Sequence, residues 1–546
     1  MKNVILISID TLRYDAISCE KDKIYLQKYG LENFTDTPNI DYFAQHGVKF
    51  SQNLTTVTYT PPSHASMLTG LYPPKHGIRA FLYNKLPENI PTLYDIFRER
   101  DYKILLSIDF HDMFDLLDLT RNCHYLVRAN DEELFGKIRQ YKDENIFLFV
   151  HFGDVHPPYG ESFCPPSENY HDDFYSEIEA LGKRFGFKDE FRDKDGKVSR
   201  DKLITLSNKI RIFCEERAIA DVINFPRYLN GVNKFDKGRF KNFIDNLKGI
   251  GVLDDCLMII TADHGQGPIP QRKMANPDIT QKFDHGEVIS EEIIRVPLIL
   301  YSPGNIPAGK EIHTQTSLVD IFPTILEYSG ISFNPNNIQG QSLKPAIDGK
   351  SIEDSKGYCE IWYHDRSELS GFLRKCKKAG RMLEPDYDTF LYQKCLRTPG
   401  YKYVETGSEM DIKDFDLPER EFAVALCRKL LGKVETESEI NNILNRLKNN
   451  ETKSELAKEY ERRNYSRKAL YNLKNDPYEE VNLLTKEMSL KNFSQKSDFT
   501  KIAKDLKSNM KLIESSLGKR VSISKDDDKK DMDKVADRLK ALGYID

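Results

Sequence analysis

Three short apolar runs, each ending on side chains that can hold a cation or an anion, predict an α/β fold. That fold is a large, mainly parallel sheet sandwiched by helices, followed by a smaller C-terminal α+β domain. The runs are Val4 to Ile9 before Asp10-Thr11, Asn145 to His151 before Phe152-Gly-Asp154-Val-His156, and Leu257 to Ala262 before Asp263-His264-Gly265. Strands apolar on both faces belong to buried parallel sheets. Open α/β sheets hold their ligands beyond the C-terminal ends of such strands. With 546 residues the chain has enough apolar side chains for one large core and a smaller second one.

The remaining elements follow in order. Thr37 to Gly47 reads as a capped helix with Thr at the N-cap, Pro38 at the first turn and Gly47 just past the end. In Thr60-Pro-Pro-Ser-His-Ala-Ser-Met-Leu-Thr-Gly70 the prolines stiffen a loop around Thr60. Ser63 is a good N-cap for a helix that Gly70 ends, which would set Thr60 ahead of a helix N-terminus, a position that favours an anion. An ordinary proline turn would read the same way. Pro91 to Arg100 predicts a short amphipathic helix and Lys103 to Ile108 a strand. From about residue 161 to 230 the chain turns polar, which suggests an inserted, lid-like segment whose charge runs also fit solvated helix faces. Lys234 to Lys248 resumes a helical pattern. Tyr358 to Tyr363, Phe390 to Arg397 and Tyr401 to Glu405 read as the short strands of a C-terminal sheet over 351–485. Residues 486–546 read as a charged helical tail. Its last helix, Val535 to Tyr544, could dock on the domain or on a second copy of the chain, so a homo-oligomer stays open.

Composition narrows the partners. Lys plus Arg number 80 against 85 Asp plus Glu, a formal net charge of −5, so neither a nucleic-acid polymer nor a membrane surface is an expected partner. The nine cysteines are scattered and never form a CxxC pair, which fits a reducing compartment and no structural zinc. Met1 to Asp10 is too briefly apolar for a signal peptide, and no run spans a bilayer. The expected location is cytoplasmic.

The Thr60 segment resembles the nucleophile motif of the sulfatase branch of the alkaline phosphatase superfamily, Cys/Ser-x-Pro-Ser-Arg followed by Thr-Gly. Pro62, Ser63, Thr69 and Gly70 match it. Thr60 replaces the Cys or Ser that sulfatases oxidise to formylglycine, and His64 replaces the Arg. Oxidised Thr would be a ketone rather than an aldehyde, so no formylglycine is expected and Thr60 can act only as an unmodified hydroxyl nucleophile. Asp10-Thr11 keeps one of two family aspartates, and Asp263-His264 is similar to the phosphatase, diesterase and phosphonate monoester hydrolase form of the second metal motif. The resemblance extends through Arg295-Val-Pro and Ser317 to Glu327, over residues 1–350 as the catalytic domain.

What the resemblance implies is a divalent cation on Asp10, Thr60, Asp263 and His264. Imidazole favours Zn²⁺ or Mn²⁺ over Ca²⁺. His156 would contact the ester anion and His285 the leaving group, with Lys282 as the runner-up. Ser63, His64 and His76 would lie on the substrate side, and Asp154 is a candidate ligand of a second metal. His151, inside its apolar run, reads as a core or supporting residue. The implied activity is hydrolysis of phosphate mono- or diesters or phosphonate esters through Thr60. The alternatives are a sulfatase lacking formylglycine, a phospho-group transferase and an inactive binding protein. The substrate would be a small molecule, or a glycan- or lipid-linked phospho- or sulfo-ester.

Overall fold

The computed structural model describes residues 2–79, 85–160, 170–187, 192–217, 219–267, 285–286, 288–363, 391–407, 412–431, 436–463, 468–484 and 496–515. Its strands begin with β1 (Asn3–Ile9), β2 (Val48–Phe50), β3 (Asn53–Leu54), β4 (Lys103–Ile108) and β5 (Tyr125–Val127). They continue with β6 (Ile146–Phe152), β7 (Cys256–Thr261), β8 (Leu298–Tyr301), β9 (Lys310–Ile312) and β10 (Thr316–Ser317). Eight of these form one sheet in the order β5-β4-β6-β1-β7-β8-β2-β9, while β3 and β10 pair separately. All its pairings are parallel except those of β8, which runs antiparallel to β7 and β2.

The three apolar runs are the middle of that sheet. β1 lies between β6 and β7, with Ser8 beside His151 on one side and Thr261 on the other. Every residue of the three strands is buried. Helices supply Phe43, Met67, Leu68, Phe97, Phe135, Phe243 and Ile325 to the same core. The chemistry-bearing ends of β1, β6 and β7 therefore emerge side by side.

The Thr60 helix starts earlier than Ser63 would have it. It runs Thr60–Thr69, with Tyr59 as the flanking residue, the two prolines in the first turn and Gly70 left-handed at its end. Prolines fit a first turn because those N–H groups have no intrahelical partner. Ser63 is therefore not a cap. Its hydroxyl donates to the Asp263 carbonyl at 2.7 Å and ties the helix to the loop after β7.

The polar segment after residue 160 contains the helices Tyr170–Arg184, Arg200–Glu216 and Ala220–Phe235, the last leading through a π turn at Asp236–Phe240 into Lys241–Ile250. Phe174, Ile178, Leu203, Leu206 and Ile210 join the main core, so the charge runs are outer faces. The segment braces the strand ends. Tyr228 donates to the Thr11 carbonyl, and Arg227 to that of Pro158.

β11 (Gly357–Tyr363), β12 (Leu391–Arg397), β13 (Tyr401–Thr406) and β14 (Lys468–Asn472) make a small antiparallel sheet. It is joined to the large one by a buried network in which Arg397 and Lys402 meet Glu291, and Lys402 also meets Glu479. Two features were not legible as such. Helices within 412–463 build their own core from Phe422, Leu426, Ile440, Ile443 and Leu456. Lys496–Ser515, within the segment read as a charged helical tail, is a helix that docks, burying Ala503, Leu506, Met510 and Ile513 against Tyr358, Leu396 and Tyr403 of the small sheet. Val535 to Tyr544 and Lys282 lie outside the described residues. Among those described, no helix is long and apolar enough to cross a membrane.

Candidate active site

Asp10 follows β1, and Asp263 and His264 follow β7 on the neighbouring strand. Thr60 opens its helix opposite them. The Thr60 hydroxyl lies 3.3 Å from Asp10 Oδ2 and 3.4 Å from His264 Nε2. His264 Nε2 is 3.4 Å from Asp263 Oδ2 and 3.8 Å from Asp10 Oδ1. His264 Nδ1 donates to the Gly265 carbonyl at 3.0 Å, which fixes the tautomer with the Nε2 lone pair on the carboxylate side. Thr60 is 4% exposed and the other three are fully buried.

Two carboxylates this close, in the dry end of a sheet, need a positive partner. Burial and the charge of Asp10 push the Asp263 carboxyl up to about 6. Burial would raise Asp10 too, but His156, His151 and His264 outweigh it and hold it below the usual carboxylate range. Asp10 Oδ1 and Asp263 Oδ2 have no hydrogen-bond partner, and neither does Thr11 Oγ1 beside them. Thr11 is held at φ 60°, a strained conformation for a β-branched residue, where its N–H reaches Asp263 Oδ1. The ligand atoms of Asp10, Asp263 and His264 all lie within 4.8 Å of one another. Orphaned carboxylate oxygens facing an imidazole lone pair fit a divalent cation.

Two more histidines border the cluster. The His285 ring is 4.6 Å from that of His264 and 5.2 Å from that of His156. His285 Nδ1 meets Gln266 Oε1 at 2.6 Å, and the Gln266 amide donates to Tyr159 at 2.7 Å. His156 Nδ1 meets the Pro157 carbonyl at 3.0 Å. Gln266 is itself fixed by Arg13, which donates to the Gln266 and Gly267 carbonyls while pairing with Asp15. Sequence reasoning missed Arg13, Gln266 and Tyr159. The signal for Arg13 was its place three residues after Asp10, on the same strand end.

Four expected site residues serve the frame instead. His76 accepts from the Ile78 N–H and shares a hydrogen bond with Ser66, so both ring nitrogens are used; burial holds its pKa down to about 3. Ser63 is spent on the Asp263 carbonyl. His64 turns back along its helix, Nδ1 donating to the Thr60 carbonyl at 2.6 Å and Nε2 meeting Ser8 Oγ at 2.9 Å. Burial and neighbouring His151 keep it neutral, so it does not take over the charge of an arginine. Asp154 is held by the buried Arg239 guanidinium at 2.6 Å rather than standing ready for a second metal.

Glycine is required where the loop after His264 passes Glu292. A Cβ on Gly265 would stand 2.3 Å from the Glu292 carbonyl oxygen. Gly265→Ala must displace backbone carrying His264, so it is expected to cost about 1–3 kcal/mol, the range for overpacking. Urea unfolding checks the cost. A variant as stable as the parent would mean that the loop moves freely.

A likeness to known proteins follows from this arrangement. The Sulfatase family model matches residues 2–331, which contain every strand of the large sheet and the whole cluster. Arylsulfatase K of Xenopus laevis is 23% identical over 352 residues, 58% of this chain and 62% of its own length. Arylsulfatase H of Homo sapiens is 23% identical over 443 residues, 66% and 76%. Among solved structures, a protein in complex with its substrate D-glucosamine-2-N,6-O-disulfate has a TM-score of 0.57 at 16% identity, covering 94% of this chain and 98% of that one. Phosphonate monoester hydrolase of Agrobacterium radiobacter follows at 0.55 and 17%, covering 93% and 96%. With the matched region spanning the large sheet and both halves of the Asp10–Asp263 cluster, the chain belongs to the sulfatase family of hydrolases.

Proposed function

We propose that this family member is a metal-dependent phosphoesterase, cleaving phosphate mono- or diesters or phosphonate esters through Thr60. The observation that carries the reading is the residue itself: a threonine hydroxyl, 3.3 Å from Asp10 and 3.4 Å from His264, stands where a formylglycine precursor would have to be Cys or Ser. Asp10, Thr60, Asp263 and His264 would hold the cation, which supplies Lewis-acid charge to the ester oxygens when bound. Thr60 enters as its alkoxide, its proton released to water, and Oγ forms the new bond to phosphorus as the bond to the leaving oxygen breaks and that oxygen keeps the electron pair. His156 faces the charge that develops, and His285, steadied by Gln266 and Tyr159, gives a proton to the departing oxygen. Water then cleaves the threonine ester.

A second reading rests on the relatives. Those compared bear sulfatase names, and one structural neighbour holds a sulfated glucosamine. The Agrobacterium neighbour favours phosphorus instead. A panel of aryl phosphate, phosphodiester, phosphonate and sulfate esters, each with Zn²⁺, Mn²⁺ and Ca²⁺, decides between them. Faster cleavage of sulfates than of every phosphorus ester would overturn the proposal.

The cation has its own test. Dialysis against a chelator is expected to lower the unfolding midpoint, and Zn²⁺ or Mn²⁺ to restore it. A cation at a hundred times its dissociation constant adds about 2.7 kcal/mol. Melting curves that do not move with metal would remove the cation from this reading.

A further inference from the structure

His151 is placed strangely for a packing residue. It sits in the last turn of pleat of β6, beside Ser8 on β1, with its side chain fully buried. Phe110, Phe114 and the His64 ring surround it. Neither ring nitrogen makes a well-formed hydrogen bond, and the nearest polar contact of Nε2 is the 3.3 Å ion-pair approach to Asp10 Oδ2. Buried imidazoles in folded proteins are normally satisfied through at least one nitrogen.

The group that would satisfy it is close by. One nitrogen each of His64 and His151 and one carboxylate oxygen of Asp263 all lie within 4.8 Å of one another, and all three side chains are fully buried. Asp263 Oδ2 also lacks a partner. His64 is locked with Nδ1–H on the Thr60 carbonyl, so its Nε2 carries the lone pair, and Ser8 Oγ stands 2.9 Å from it. Two imidazoles and a carboxylate make a three-ligand set of the kind Zn²⁺ takes when its fourth position is left to water. Ligands about 2.0–2.1 Å from a tetrahedral Zn²⁺ stand roughly 3.4 Å apart, so the set must draw together for the ion to seat. Ser8 would turn its proton away from His64 Nε2 as that lone pair is given up.

We infer that His64, His151 and Asp263 form a second divalent-cation site, next to the Asp10–Asp263–His264 site and sharing Asp263 with it. This differs from the second metal expected through Asp154, whose Oδ2 is paired with Arg239. The second cation joins three elements: His64 from the Thr60 helix, His151 from β6 and Asp263 from the end of β7. Its position ties the helix that presents Thr60 to both strands.

The inference rests on the first cation site but not on the identity of the ester, because it is read without substrate. Full-length protein is freed of metal, equilibrated with Zn²⁺ and desalted, and its zinc is measured per chain. Two equivalents are expected for the parent, and one for His151→Phe and for His64→Gln. With Co²⁺, the visible absorption should lose one component in either variant, while Asp10→Asn should lose the other. A parent that saturates at one equivalent overturns the inference, and so does a folded His151→Phe that still binds two. If His151→Phe does not fold, the parent stoichiometry and His64→Gln decide between the same two results.

Discussion

Thr60→Ala is expected to lower kcat/KM by at least about a thousandfold, roughly 4 kcal/mol of barrier, with little change in stability. The stability side follows from the weak contacts of the hydroxyl, which has only the long approaches of 3.3 Å to Asp10 and 3.4 Å to His264. Neither is short enough to matter much to folding. The activity side follows from placement: among the described residues the Thr60 hydroxyl approaches both Asp10 and His264, whereas Thr11 Oγ1 beside the carboxylates hydrogen-bonds to neither. Thr55, Thr56, Ser63 and Ser66 in the same region are engaged with one another or with backbone. Thr60→Ser should keep part of the turnover, because a hydroxyl remains while the methyl group that restricts its rotamer is gone. Acid quench of the parent during turnover of a phosphorus ester should yield phosphothreonine at residue 60, detected by mass spectrometry. If Thr60→Ala keeps substantial activity and no phosphothreonine is trapped, water attacks the ester directly and Thr60 only shapes the loop.

How much of this was legible depended on distance along the chain. β4 was readable at its full length, Lys103–Ile108, because an unbroken apolar run between polar boundaries is a local signal. Asp10 and Asp263 stood out for the same reason, as carboxylates ending runs that can only be buried strands. The start of the Thr60 helix was misjudged because two prolines look like a barrier to a helix, yet in its first turn they remove only N–H groups that the helix does not use. His64 was assigned to substrate from its place in the motif. In the helix, its separation of four residues from Thr60 aims Nδ1 at the Thr60 carbonyl. The docking of the helix Lys496–Ser515 was hidden by its charge, since its apolar stripe means little until the small sheet is there to receive it.

Arg239 is the clearest case of information that no local pattern contains, and it leads to the second large effect. It lies in Lys234 to Lys248, where the sequence shows only a resumed helical pattern, but the π turn Asp236–Phe240 delivers it to the interior, fully buried. A π turn widens the backbone by one residue and so changes which side chains face inward. The guanidinium meets Asp109 at 2.6 and 3.0 Å, Asp131 at 2.9 Å through two nitrogens, and Asp154 at 2.6 Å. These carboxylates come from the ends of β4 and β6 and from the helix Asp131–Gln140, and Asp109 also accepts the Gly153 N–H at 2.7 Å. One cation thus holds three buried carboxylates and the turn that carries His156. Arg239→Met removes the cation and leaves the three acids facing one another, so it is expected to cost about 3–5 kcal/mol, as for breaking a buried ion pair from one side. Urea unfolding reads this directly. Arg239→Lys should recover only part of the loss, because a point charge lacks the planar fork that serves several carboxylates at once. The comparison that isolates the cause is Arg239→Met combined with Asp109→Asn and Asp154→Asn. If stranded negative charge is what destabilises the single variant, the combination should be more stable than Arg239→Met alone. Should it be less stable, the cost lies in lost packing around the guanidinium, including its contact with the Phe152 ring at 4.8 Å, and not in the uncompensated carboxylates.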